Sequence, residues 1–258
     1  MRISGRNRPG PEEPISGRCE QEECGIVADP ASDTHETKNY FLSLFSSSDA
    51  DLQGWSPPHE YPRGVELFLQ NHPADHVYFI ERGIVKLSCA CPRAEEVIVG
   101  LRRWNWLLAA TAVILGNAYS ATATTLTRCT LRSISSAAFA DHLTADIRLS
   151  LEVNRMLSTE ILGDRKKIVT LGCMSAAERL RRFLRELISE EDLNDLKKEG
   201  RLELPLKSNE LAAIIAVTPQ HLYRLLRDPA LRIHLKQDRG VLTIVNPSAF
   251  MLNDKLES

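Results

Sequence analysis

The chain has no apolar run long enough to cross a bilayer. The longest, Trp106 to Leu115, is interrupted by Thr111, whereas a spanning helix needs about 20 apolar residues. It also lacks an excess of either charge. Its 32 Lys and Arg against 34 Asp and Glu leave a net −2, with a pI near 6.4. That excludes a generally basic nucleic-acid coat, so any contact with phosphate must be local. The start, Met1 to Gly10, has no apolar core of a secretory leader, and a cytoplasmic location is the expectation. Catalytic signatures are missing as well. There is no nucleophile elbow, Walker loop, zinc-protease helix or glycine-rich dinucleotide loop. Polar residues suited to catalysis do not cluster, so no catalytic residue is assigned and an enzyme is not expected. No internal repeat or low-complexity array occurs.

Cysteine is sparse. Cys19, Cys24, Cys89, Cys91, Cys129 and Cys173 read as free thiols in an unsecreted protein. Cys89-Ala-Cys91 would put two thiols on one strand face, open to metal or oxidation. Two ordinary thiols are the plainer reading. His72 and His76 flank Pro73 in a loop and read as solvated histidines, so no metal site is assigned. Trp104 and Trp106 either line a ligand cleft or sit in the core.

What the sequence does hold is organised around Ser208 to Leu226. Ser208 is a good N-cap, and Leu211, Ile214 and Ile215 follow at helical spacing. Ala212 and Ala216, one turn apart, would let a second helix cross closely. Thr218-Pro219 restarts the chain with a cap and a first-turn proline. Leu222, Leu225 and Leu226 form the buried side of that second helix, and Gln220, His221, Tyr223 and Arg224 face away. This pattern predicts a helix-turn-helix, whose second helix enters the DNA major groove. An ordinary helical hairpin has the same spacing. The surroundings favour the first reading. Arg239-Gly240 and the run Val241 to Val245 supply a turn and a strand for a wing. Residues 201 to 246 carry seven basic and four acidic side chains, a net +3, which suits a phosphate backbone.

The rest of the 258-residue, 28.9 kDa chain divides by pattern. Residues 1–36 have no apolar periodicity and read as a disordered tail. Thr37 to Trp55 fits a short amphipathic helix. Between Pro57 and Leu143, the runs Val65–Leu69, His76–Ile80, Ile84–Leu87, Val97–Leu101, Ala121–Leu126 and Thr130–Ile134 read as strands of an all-β sandwich or roll. Gly64 and Gly83 sit where tight turns fall. Thr144 to Leu171 reads as one long helix carrying Ile147, Leu151, Leu157, Ile161, Ile168 and Leu171. Ser175 to Glu178 is a capping box, and Leu180, Phe183, Leu184, Leu187 and Ile188 follow on one helix face. Leu202 to Leu206 reads as a short strand, and Pro247 to Ser258 as a tail with a last turn of helix.

Tyr61-Pro-Arg-Gly64, Val77-Tyr-Phe-Ile-Glu-Arg-Gly-Ile-Val-Lys86, Ser175-Ala-Ala-Glu-Arg-Leu180, and Leu204-Pro-Leu206 before the helix pair carry a resemblance. Over about residues 37 to 250 the chain resembles the cyclic-AMP receptor / fumarate-nitrate regulator (Crp/Fnr) family of bacterial transcription factors. The resemblance implies an α+β architecture. A cyclic-nucleotide-binding-like β-roll sensor domain would span 37–143, a dimerisation helix 144–172, and a winged helix-turn-helix 173–258. It implies a homodimer on double-stranded DNA, with RNA polymerase and an unidentified small-molecule effector as further partners, no membrane and no cofactor. The DNA-facing set would be Lys207, Thr218, Pro219, Gln220, His221, Tyr223, Arg224 and Arg239. Arg224 matches the family's guanine-reading arginine, and Gln220 replaces a common Glu. Lys207 and Thr218 would hold phosphates.

Departures from the family pattern are equally informative. Cyclic-AMP binders hold the ribose with Gly-Glu and the phosphate with Arg-Ser. Here those positions are Ala109, Ala110, Tyr119 and Ser120, a degenerate effector pocket. A buried phosphate needs a cation or several N–H donors, so an effector other than cyclic AMP, or none, is expected. Nearby Arg102, Arg103 and Arg128 have nothing in the sequence that aims them at the pocket. Asn71 and Asn105 replace two further family glycines, and Asn tolerates the left-handed conformation best. The family's iron–sulphur branch uses more N-terminal cysteines than Cys19 and Cys24, and its roll ligand falls at Arg132, so no cluster is assigned. Asp228-Pro229 should stop the second helix. That break keeps open an alternative: a sensor that regulates a protein partner without touching DNA.

Overall fold

The computed structural model describes residues 54–91, 94–189, 197–198, 201–229 and 235–245. The expected tail over 1–36, the helix from Thr37 and the final turn after Pro247 lie outside the described residues.

Each apolar run between Val65 and Ile134 contributes a strand. In chain order the first half holds β1 (His59–Tyr61), β2 (Glu66–Phe68), β3 (His76–Arg82), β4 (Val85–Cys91), β5 (Ala94–Arg102) and β6 (Trp106–Leu108). A short helix α1 (Ala110–Ile114) follows, then β7 (Thr122–Thr125) and β8 (Cys129–Ser135). The strands form two four-stranded antiparallel sheets, ordered β1-β8-β3-β6 and β2-β7-β4-β5. Strand periodicity sends alternate side chains to opposite faces. On β3, Ile80 joins Val85, Ala123 and Leu131 in one core, while Val77 and Phe79 join Trp55, Leu107 and Ile134 in another. That strand is therefore buried on both faces. Gly64 and Gly83 take φ of +85° and +97°. A Cβ on Gly83 would lie 2.5 Å from Arg128 O and 2.7 Å from Cys129 Sγ, so only glycine fits. Asn71 and Asn105 are left-handed too, with φ of 67° and 62°, as expected of residues standing in for glycine.

The helices covering the roll differ from expectation at one point. The long helix expected over Thr144 to Leu171 is present as α3 (Ile147–Cys173), and a further helix that the sequence did not announce, α2 (Ser136–Ala145), precedes it. Asp146 divides them: its backbone is extended and its Oδ1 accepts the Arg148 N–H at 2.8 Å, an N-cap. Phe139, Leu149, Val153 and Met156 pack on the outer face of β3 and β8. α3 has 27 residues, about 40 Å of helix. Away from the roll it exposes Ile147, Leu151, Ile161, Ile168 and Leu171, Ile168 to 69%.

The capping box forms as read: Ser175 N donates to Glu178 Oε2 at 2.6 Å and Glu178 N to Ser175 Oγ at 3.3 Å. It opens α4 (Ala176–Ser189), followed by β9 (Lys197–Lys198), β10 (Arg201–Leu204), α5 (Ser208–Ile214), α6 (Pro219–Leu225), β11 (Leu235–Asp238) and β12 (Val241–Val245). The third sheet is antiparallel with order β11-β12-β10-β9. Leu180, Leu184, Leu202, Leu204, Leu211, Leu242 and Ile244 are fully buried together, and Ile84 and Leu126 of the roll join the same core.

Among the described residues no helix is long and apolar enough to cross a membrane, and no group of His, Cys, Asp and Glu could hold a metal ion.

Candidate functional site

The pair α5–α6 is held by contacts the sequence only partly announces. Lys207, not Ser208, is the N-cap of α5: Ser208 already lies in the helix, and Glu210 Oε2 accepts the Lys207 N–H at 2.9 Å. Ala216 does not pack at a helix crossing. α5 ends at Ile214, and Ala216 is an exposed turn residue with φ 54°. Arg179 braces that turn. Its Nε donates to Ile215 O at 2.8 Å, and its two terminal nitrogens to Met174 O at 2.8 Å and Ala216 O at 3.3 Å. A guanidinium is suited to this because it donates in several directions from one plane. Thr218 then caps α6, its Oγ1 accepting the His221 N–H at 3.2 Å, with Pro219 in the first turn.

On α6 the buried residue is Leu222, with Leu225 half-buried beside it. Gln220, Tyr223 and Arg224 are exposed on α6, three and four apart as on one face of a helix, and Arg227 is exposed in the turn just past its end. His221 is half-buried, flanking that stripe rather than on it. Arg227 has no helical signal in the sequence, because it lies in the turn past the end of α6. Its guanidinium lies 4.8 Å from the Tyr223 ring centroid. α6 ends at Leu225, just before Asp228-Pro229, as expected.

The hairpin β11–β12 turns through Arg239 and Gly240, with φ of 43° and 79°. Two left-handed residues in a two-residue loop match the twist of an antiparallel pair. Gln237 Nε2 donates to Leu206 O at 2.7 Å, fixing the hairpin beside the start of α5. A Cβ at Gly240 would meet Lys207 Cγ at 3.4 Å, so the exposed Lys207 and the hairpin turn are neighbours. Of the expected DNA-facing residues, Gln220, Tyr223 and Arg224 share one face, Thr218 and Pro219 start it, and Lys207 and the Arg239 turn lie together.

This unit is docked on the roll. Lys86 of β4 reaches Glu96 Oε1 at 2.9 Å and Glu210 Oε1 at 3.0 Å. Burial pulls the Lys86 pKa down, but hydrogen bonds to Glu96 and Glu210 outweigh it and hold the ammonium above the usual lysine range. Burial likewise pushes Glu96 up, and its bonds to Ser88 and Lys86 bring it below the usual carboxylate range. Arg63 adds a bond to Pro205 O at 3.0 Å.

Ala109, Ala110, Tyr119 and Ser120 are brought together around a second feature, a cavity of about 80 Å3 between the roll and α3. Ligand pockets are usually upward of about 300 Å3. Ala109 is left-handed, φ 69°, so it keeps the backbone of the glycine it replaces. Tyr119 fills the phosphate position with a ring. It stacks on Phe68 at 4.1 Å between centroids, and its hydroxyl donates to Asp75 Oδ1 at 3.0 Å while accepting the His76 N–H at 3.1 Å. Burial and the Asp75 carboxylate hold that phenol protonated, well above its ordinary pKa. The cation on the cavity wall is Arg102, which lies 5.2 Å over the Trp106 ring and is already paired with Glu160 of α3. Trp106 thus lines the cavity. Arg128 pairs with Glu60 on the surface. Cys129 and Cys173 are free thiols; Cys129 is buried, which pushes its pKa up.

Known proteins match both halves of this arrangement. The family model described as cyclic nucleotide-binding domain matches residues 58–146. The global nitrogen regulator of Synechocystis is 30% identical over 197 residues, covering 73% of this chain and 84% of that protein. The global nitrogen regulator of Nostoc is 31% identical over 173 residues, covering 65% and 76%. Among solved structures, the c-di-GMP responsive global regulator of Xanthomonas campestris superposes with a TM-score of 0.64 at 18% identity, covering 79% of this chain and 97% of that one. A Crp/Fnr-family transcriptional regulator of Thermus thermophilus gives 0.63 at 17%, covering 78% and 99%.

Proposed function

The chain belongs to the Crp/Fnr family of transcription regulators, and from that premise we propose that it is a homodimeric, sequence-specific DNA-binding regulator whose effector is not cyclic AMP. The observation that carries DNA reading is the stripe on α6. Gln220, Tyr223 and Arg224, with Arg227 in the turn that follows the helix, stay exposed although α5 is docked on the roll, so docking leaves this face open. Arg224 presents a fork suited to guanine O6 and N7, and the Gln220 amide both donates and accepts, which suits adenine. Lys207, Thr218 and the Arg239 turn flank the stripe, where contacts to phosphate would set register without reading sequence. The exposed row Ile147, Leu151, Ile161 and Ile168 on α3 supports a two-fold seam. Ile147, Asn154, Ile161 and Ile168 recur every seven residues, the period of paired helices. Two half-sites about 10–11 bp apart in an inverted repeat follow from such a dimer.

The cavity supports the statement about effector. Its wall carries a ring at the phosphate position and alanines at the ribose position, and its arginine is neutralised by Glu160.

Selection of bound DNA from a random pool, followed by affinity measurements at several salt concentrations, tests the proposal. We expect one palindromic consensus and a steep fall in affinity with salt. Recovery of no consensus, with no salt-dependent binding, would overturn it in favour of a sensor that regulates a protein partner.

A further inference from the structure

We infer that Tyr223, braced by Arg227, reads the C5-methyl group of a thymine in each half-site. The inference rests on the DNA-binding reading and goes beyond it by assigning a base feature to an apolar side chain. Tyr223 is 59% exposed, and it is the one Tyr, Trp or Phe exposed among the described residues. It lies three residues after Gln220 and directly before Arg224, with Arg227 in the turn just past the helix. Arg227 covers the ring at 4.8 Å, so the side chain is held from one flank by a cation–π contact. The rest of the side chain stays largely exposed.

The major groove offers hydrogen-bonding groups at every base pair and one apolar group, the thymine methyl. Gln220 and Arg224 satisfy the first kind of feature. A tyrosine ring beside them presents carbon, and carbon placed against a base edge gains most where it covers a methyl. Desolvation of one methyl group corresponds to about fourfold in affinity. Arg227 then has the function of fixing the ring from one flank.

The test uses the full-length protein and the site selected from the random pool. Each thymine of a half-site is replaced in turn by deoxyuridine, which removes the methyl and nothing else. We expect one position per half-site at which uracil weakens binding by about fourfold, with Tyr223→Ala binding the thymine and uracil sites equally. Tyr223→Phe should keep the discrimination, because the ring and not the hydroxyl meets the methyl. Arg227→Met should reduce it. The inference is overturned if no thymine responds, if Tyr223→Ala discriminates as the wild type does, or if Tyr223→Phe abolishes the effect. Failure to select any site would overturn the regulator reading itself; a selected site with no methyl-sensitive position overturns this inference alone.

Discussion

Lys86 Nζ lies 3.0 Å from Glu210 Oε1, and both side chains are nine-tenths buried although 124 positions separate them in the chain. The pair joins the roll to α5, the first helix of the pair α5–α6. Glu210 uses its second oxygen to cap α5 through the Lys207 N–H. Orientation of the helix pair on the roll is therefore tied to the start of its first helix.

Removing one member of a buried pair leaves the other charge desolvated, at a cost of about 3–5 kcal/mol. We expect Lys86→Met to lower unfolding free energy by about 3 kcal/mol, since Glu210 then stays buried without its cation. Lys86→Met combined with Glu210→Gln should recover part of the loss. Denaturant unfolding of the two single variants and the double variant measures this; additive losses would count against the pairing.

The cluster also sets a pH dependence. Glu96 is held below its ordinary 4.5, so its contribution is fully present above that value and is lost as pH falls through its folded-state pKa. Lys86 is held above its ordinary 10.5, so its contribution is present below that value and is lost as pH rises through its raised pKa. Wild type should be more stable than Glu96→Gln near neutrality, and the gap should close in acid below 4.5. Urea midpoints of the two proteins against pH check the prediction; a gap that persists or widens in acid contradicts it.

Ile161 lies mid-way along α3 and is 53% exposed. A carboxylate there would be buried without a partner in a two-fold seam. Light scattering should show a wild-type dimer and an Ile161→Asp monomer at micromolar protein. A wild type already monomeric at that concentration removes the seam.

Arg224→Ala should cost about 1–3 kcal/mol of DNA affinity and relax one position of the half-site. If Arg224 touches only phosphate, binding weakens on all sequences alike, and pools selected with variant and wild type give the same consensus.

Calorimetric titration with cyclic AMP should show no low-micromolar binding. Each lost charge-assisted contact is worth about 1.5–3 kcal/mol, and both the ribose carboxylate and the phosphate guanidinium are replaced, by Ala110 and Tyr119. Heat consistent with one tight site per chain would reverse this conclusion.

The strands of the roll were legible because their side chains alternate between two cores, as on Val77, Phe79 and Ile80, and because Gly83 and the two asparagines mark turns. α2 was not legible: Ser136 to Ala145 carries one fully buried residue, Phe139, too little for an apolar face. The exposed side of α6 was mostly visible from the spacing of Leu222, Leu225 and Leu226, whereas Arg227, in the turn past its end, had no helical signal. Ala216 was misplaced because small residues four apart look the same in a helix and in the turn that ends one. The Lys86–Glu210 pair had no local signal at all. A lysine on a strand and a glutamate on a helix read as solvated until the fold closes them off.

The sheet order β11-β12-β10-β9 puts the last described strand in an interior position. β12 pairs with both β10 and β11, and it supplies Leu242 and Ile244 to the core beneath α5 and α6. During synthesis, therefore, Gln220 and Arg224 leave the ribosome before the strand that completes their support. A nascent chain stopped before Val241 would hold two unpaired strand edges and an open core. Such a chain carries the whole roll and every residue of α6, yet no finished core beneath it. The platform under the helix pair is completed only with the final few residues of β12.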